Sequence, residues 1–134
     1  MEQNLYPKAW RPPTKKEWGP RRWTALHTLA IMFPSNPSRN DKIAVLNRIK
    51  LIIVSLPCQE CRMHAREYVT KHPPDLGSSE AFQIWMWNFH NAVNARLGKP
   101  QIPYDAYLTE YNEEICWSSW GEGCASSFRR ARIS

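Results

Sequence analysis

The sequence predicts a single all-α domain, and three observations predict it. Apolar residues recur at helical spacing through most of the 134 residues. The clustered prolines and the five glycines leave long stretches between them that can be helices. No segment carries the alternating pattern of a strand, and there is no internal repeat or low-complexity linker. A chain of this length can bury about two-thirds of the surface its unfolded form exposes, so it can hold a core without staples.

The elements follow in order. From about Trp18 to Phe33, Trp23, Leu26, Ala30 and Phe33 mark one helical face, and Pro34 stops the helix. From about Ser38, with Asp41 placed as a capping-box acid, Ile43, Leu46, Ile49 and Ile53 mark a second helix that ends before Pro57. Cys58 to about Lys71 forms a shorter third helix, closed by Pro73 and Pro74 and beginning at the cysteines themselves. Ser78 or Ser79 caps a fourth helix, with Phe82, Trp85, Phe89, Val93 and Leu97 on one face and Gly98 as its stop. Pro103 can open a short fifth helix carrying Tyr104, Tyr107 or Leu108, and Tyr111.

Net charge is +6, with a pI near 9.4, which raises nucleic acid as a partner until the charge is located. Residues 1–23 carry six Lys or Arg against two Glu, and the C-terminal end adds Arg129, Arg130 and Arg132 without an acid. The intervening segment is close to neutral. Charge confined to the ends argues for solvated tails rather than a basic groove, so nucleic acid is not the expected partner. No run of eighteen apolar residues and no hydrophobic signal core are present, so neither a membrane span nor secretion is expected.

Four cysteines in that setting point to catalysis, redox chemistry or metal binding rather than a structural disulfide framework. Cys58-Gln59-Glu60-Cys61 is a C-x-x-C at a helix start, a spacing that lets two sulfurs cycle between dithiol and disulfide. The helix dipole there favours a thiolate, and Arg62 and Arg66 add positive charge nearby. Half of a zinc site, or a buried structural pair, would use the same spacing. Zinc needs a second pair, and Cys116 and Cys124 stand at an awkward interval, while His64 and His72 offer no clean ligand spacing.

Two further groups of residues surround this motif. Trp18-Gly19 is followed by Trp23 and His27, which share a helical face at i and i+4; Trp23 packed in a core and His27 as a satisfied buried histidine would explain that pair equally simply. His90-Asn91-Ala92-Val93-Asn94 leads into Leu97-Gly98-Lys99-Pro100, with His90 and Asn94 again at i and i+4. These three blocks, in this order over Trp18 to Tyr111, resemble the Erv/ALR family of FAD-linked sulfhydryl oxidases, most closely its compact members from large DNA viruses.

The resemblance implies a four-helix bundle with a short fifth helix and FAD held noncovalently at the bundle end. It implies Cys58 and Cys61 as the catalytic pair. Carried over by position, Gly19, Trp23 and His27 would contact the flavin, and His90, Asn91, Val93, Asn94 and Lys99 would hold the adenosine and phosphate portion. Trp85 would back the pocket, with Tyr111, Tyr104 or Tyr107 adding an aromatic wall. Substrate thiolate would attack the disulfide at Cys58, and electrons would pass from Cys61 through flavin to oxygen, giving hydrogen peroxide. The implied partners are protein thiol substrates or a thioredoxin-like carrier, molecular oxygen, and a second copy of the chain in a homodimer. The implied setting is the host-cell cytoplasm or the virion.

Two departures stand out. Pro20 occupies a place where cellular members often have Arg, and no cysteine closely follows Pro100, so the cellular long-range disulfide is altered. Cys116 and Cys124 are expected to pair instead, as a staple or as a shuttle. The expected organisation is a basic extension (1–17), the oxidase-like domain (18–115) and a cysteine-bearing tail (116–134). The alternative reading is a noncatalytic zinc-binding or nucleic-acid-binding module.

Overall fold

The computed structural model describes residue 11 and residues 13–107. Tyr111, Cys116 and Cys124 lie outside the described residues. Those described form five helices and no strand: α1 (Lys15–Ile31), α2 (Arg39–Val54), α3 (Gln59–Lys71), α4 (Ser79–Arg96) and α5 (Tyr104–Tyr107). The order and number agree with the pattern in the sequence.

Local signals account for most boundaries. Ser38 and Asp41 form a reciprocal capping box at the start of α2, with Asp41 N–H donating to Ser38 Oγ at 3.1 Å and Ser38 N–H to Asp41 Oδ2 at 2.8 Å. Ser78 caps α4 through a 3.0 Å bond from Ala81 N–H. α1 begins three residues earlier than the pattern indicates, because extended Thr14 serves as its cap and its carbonyl accepts from Glu17 and Trp18 N–H. Pro20 therefore falls inside α1, where it has no N–H to give to the helical ladder.

α1 packs most extensively on α4, with α2 on α1 and α3 on α2. The core between them joins Leu26, Ala30, Ile49, Ile53, Phe82 and Phe89 with their neighbours. One expectation is corrected on α2. Val45 is buried there, while Ile43 is 48% exposed, because α2 carries apolar residues on more than one face and the core takes the Val45, Ile49 and Ile53 side.

The chain reverses after α4 at Gly98, whose φ of 70° lies in the left-handed region. Lys99 N–H then donates to Asn94 O at 2.8 Å, and Asn91 takes Ile102 N–H on Oδ1 at 2.7 Å while giving Nδ2 to Ile102 O at 3.0 Å. An added Cβ at Gly98 would meet nothing within 4 Å, so only its backbone conformation resists substitution. Gly98→Ala should therefore lower stability by about 1 kcal/mol through the left-handed penalty alone. Urea denaturation measures this, and an unchanged midpoint would contradict it.

Candidate functional site

α1, the ends of α2 and α3, and the C-terminal half of α4 enclose a cleft of about 640 Å³. Its volume lies in the range of cofactor and small-molecule sites, on the order of 300–1,000 Å³. Leu26, Ile52, Ile53, Phe89 and Val93 make its walls apolar, and Cys61 opens onto it. Five cations also line it: Lys15, Lys16, Arg22, Arg96 and Lys99, with no carboxylate among the lining residues. The reading of the N-terminal charge as a solvated tail does not hold for Lys15, Lys16 and Arg22, which lie on α1 and line the cleft.

The residues singled out in the sequence divide into two groups. Gly19, Trp23, His90, Val93, Asn94 and Lys99 line the cleft. His27, Asn91 and Trp85 do not, and each braces something that does. His27 is fully buried, and its Nε2 lies 2.8 Å from Nδ1 of His90. Asn91 clamps the loop after α4 at Ile102. Trp85 lies behind Phe89, at 5.3 Å between rings, and donates Nε1–H to His72 O at 2.9 Å, tying the end of α3 to α4. Trp85 thus backs the pocket from behind Phe89 and does not itself line it. Tyr107 is buried against His27, 5.1 Å away, rather than forming a wall of the cleft.

Trp23 and His90 stack, with centroids 3.8 Å apart and planes 6° from parallel. Burial drives the imidazole of His27 down to about 3, with the charge of His90 adding to the effect. Burial likewise drives His90 down to about 4, with Lys99 contributing. Both rings are therefore neutral, as one donor and one acceptor sharing a hydrogen bond requires.

Cys58 is the N-cap of α3, in extended conformation, and its Sγ accepts Cys61 N–H at 3.2 Å. Both cysteines are free thiols and half-buried. Only Cys61 lines the cleft. Hydrogen bonds from the Cys61 side chain and backbone hold the Cys58 thiol below its usual range, while burial pushes the Cys61 thiol up. The cation beside this pair is Lys15, not Arg62 or Arg66 as the sequence suggests. Arg62 instead donates Nη1–H to Leu56 O at 2.5 Å. The apolar periodicity of α1 begins only at Trp18, which leaves Lys15 looking like part of the tail.

Among the described residues no three His, Cys, Asp or Glu side chains gather to hold a metal, and no helix is long and apolar enough to cross a membrane. The Erv1/Alr family model matches residues 20–115. The chain belongs to the Erv1/Alr family. It is 45% identical over 98 residues to a FAD-linked sulfhydryl oxidase of African swine fever virus, covering 73% of this chain and 82% of that protein. It is 38% identical over 112 residues to the FAD-linked sulfhydryl oxidase ERV1 of Arabidopsis thaliana, covering 84% and 59%. The crystal structure of the yeast Erv1 core superposes with a TM-score of 0.71 at 27% identity, covering 81% of this chain and 92% of that one.

The paired neutral histidines set an acid limit on this member of the family. Their folded pKa values lie below the unfolded 6.5, so the unfolded chain takes up protons first as pH falls. The stability they contribute is complete above 6.5 and is lost on descending toward 4 and 3. Between pH 6 and 5, above most carboxylate titration, stability should fall by up to about 1.4 kcal/mol per unit for each histidine. Urea midpoints across that interval give the slope, and a flat profile would contradict two neutral buried imidazoles.

Proposed function

We propose that this chain is a FAD-dependent thiol oxidase that forms disulfide bonds in protein substrates. One observation carries the reading: the cleft-facing sulfur of the C-x-x-C, Cys61, opens onto an apolar cavity lined by cations and built from the other two sequence blocks.

The cavity fits a flavin dinucleotide on its own chemistry. Apolar walls suit a flat ring system, and the diphosphate requires cations without competing carboxylates. Lys99 and Arg22 meet that need, and Arg22 Nε is shielded with no hydrogen-bond partner among the described residues. Gly19, Trp23, His90, Val93 and Asn94 would complete the holding surface, with His27, Asn91 and Trp85 fixing them from behind. Tyr111 is proposed as a further contact. Held there, FAD would supply the two-electron chemistry that links oxidation of the dithiol to reduction of oxygen to hydrogen peroxide.

The protein's own residues perform the exchange that precedes this. A substrate thiolate attacks Cys58 Sγ, the Sγ–Sγ bond breaks, and Cys61 leaves as the free sulfur. A second substrate thiol then attacks the mixed disulfide, releasing the substrate disulfide and Cys58. The depressed Cys58 thiol makes it the better leaving group in that second step. Substrates are protein dithiols or a thioredoxin-like carrier, and Cys116 and Cys124 are proposed to pair as a staple or shuttle.

Assembly as a homodimer is part of the proposal. Ile43, Leu51 and Val54, each 48–66% exposed, fall within an arc of roughly 80° on α2 at 100° per residue. The proposed setting, host-cell cytoplasm or virion, is supported by analogy with the viral relatives.

Protein purified without added cofactor should be yellow and should lose its flavin absorbance on anaerobic addition of dithiothreitol. Cys61→Ser should retain the bound flavin and no longer bleach, the rate falling by orders of magnitude. A colourless folded protein would overturn the oxidase reading. A Cys61→Ser protein that bleaches at the native rate would remove this pair from the chemistry.

A further inference from the structure

The cleft holds more positive charge than a dinucleotide can balance. Lys15, Lys16, Arg22, Arg96 and Lys99 line it with no carboxylate among the lining residues. None of the five forms an ion pair with an acid among the described residues. The acids on the neighbouring helices lie against other partners: Glu17 pairs with Arg11 at 2.5 Å, Glu60 is 3.6 Å from His64, and Glu67 pairs with Lys71 at 2.8 Å. On α4 the acid is Glu80 in the first turn, whereas the C-terminal half borders the cleft. Unbalanced charge of one sign in a concave site raises the local concentration of counter-ions.

A bound flavin dinucleotide would meet only part of this charge. A diphosphate carries one negative charge on each phosphate, and Arg22 with Lys99 balances it. Lys15 and Lys16 in the first turn of α1 and Arg96 in the last turn of α4 remain. All three residues are exposed, and the turns that carry them border the same cleft as Cys61.

We propose that this surplus is a docking surface for an acidic segment of the substrate protein, flanking the cysteine that attacks Cys58. The proposal rests on the oxidase reading and names its substrate class. Carboxylates beside the attacking sulfur would satisfy the three cations that the cofactor leaves unmatched, and the attacking thiolate is itself an anion drawn by the same field. Cysteines flanked by lysine or arginine are repelled there, so the surface selects among thiols as well as attracting them.

The test is anaerobic reduction of the flavin by two synthetic dithiol peptides that differ only at the residues flanking their cysteines, aspartates in one and asparagines in the other. At low ionic strength the aspartate peptide should react roughly tenfold faster, and its advantage should shrink to about twofold or less near 0.3 M salt. The double variant Lys16→Glu, Arg96→Glu should abolish or reverse the preference at unchanged flavin content, while uncharged dithiothreitol reduces it at the wild-type rate. Both residues are exposed, so folding should be preserved. Equal rates for the two peptides with the wild type at low salt would overturn the proposal. So would an aspartate preference that survives intact in the double variant. Failure of the oxidase reading would appear separately, as a wild-type protein without flavin. The peptide comparison then runs on thiol–disulfide exchange with the Cys58 and Cys61 pair, oxidised beforehand and followed by acid quench and mass mapping, and the same two outcomes overturn the docking surface.

Discussion

A hydrogen bond between two buried imidazoles, one on α1 and one on α4, is the contact on which the rest of the site depends. His27 Nε2 and His90 Nδ1 are 2.8 Å apart in a space that excludes water from His27 altogether. A polar pair in such a place is tolerated only while it is satisfied, and its tolerance in distance is a few tenths of an ångström. The register of α1 against α4 is therefore fixed more tightly than apolar packing would require. Trp23 lies one turn before His27, so the same register sets it flat on His90 and edge-on to Phe89. Beyond His90 the next turns of α4 carry Val93, Asn94 and Leu97 along the cleft. The wall of the cavity is an extension of that one contact.

The difference between the two thiols has an equally local origin. Cys58 stands outside the helix as its cap, with φ −105° and ψ 117°, while Cys61 belongs to the first turn. A cap side chain folds back over the free N–H groups, which is why Cys58 Sγ accepts Cys61 N–H. The first-turn residue is instead directed by the helix toward whatever that helix faces, here the cleft. Two identical residues three apart thus acquire opposite environments, Cys58 held as an anion by its cap position and Cys61 burdened by burial where the helix faces the cleft.

Much of this was legible in the sequence, and the portions that were not share a cause. The caps at Ser38 and Ser78, the reversal at Gly98 and the start of α3 at the cysteines are determined by neighbours within four residues. Each could be read where it stood. Val45 rather than Ile43 and the bracing roles of Trp85 and His27 depend on which faces meet across helices. α2 offers apolar residues on two faces, and only packing on α1 and α3 selects one. The cations were harder still. Lys15 and Arg22 read as tail charge because a cleft shared by several helices has no periodicity of its own.

The His90–Pro100 block shows how such a motif can be over-read. Its residues look like a ligand-binding set, and several do line the cavity. Yet Asn94 also donates Nδ2–H to Pro100 O at 3.3 Å and offers its own carbonyl to Lys99 N–H, while Asn91 spends both ends of its amide on Ile102. Two asparagines three apart on α4 thus hold the loop that Gly98 turns back. The fixed interval between them and Lys99 follows from that clamp, with or without a ligand. What points to a bound anion is where the clamp delivers Lys99: to the cleft that Arg22 lines from α1 with a shielded, unpartnered Nε. The motif builds the loop, and the convergence of charge from two helices defines what the loop is for.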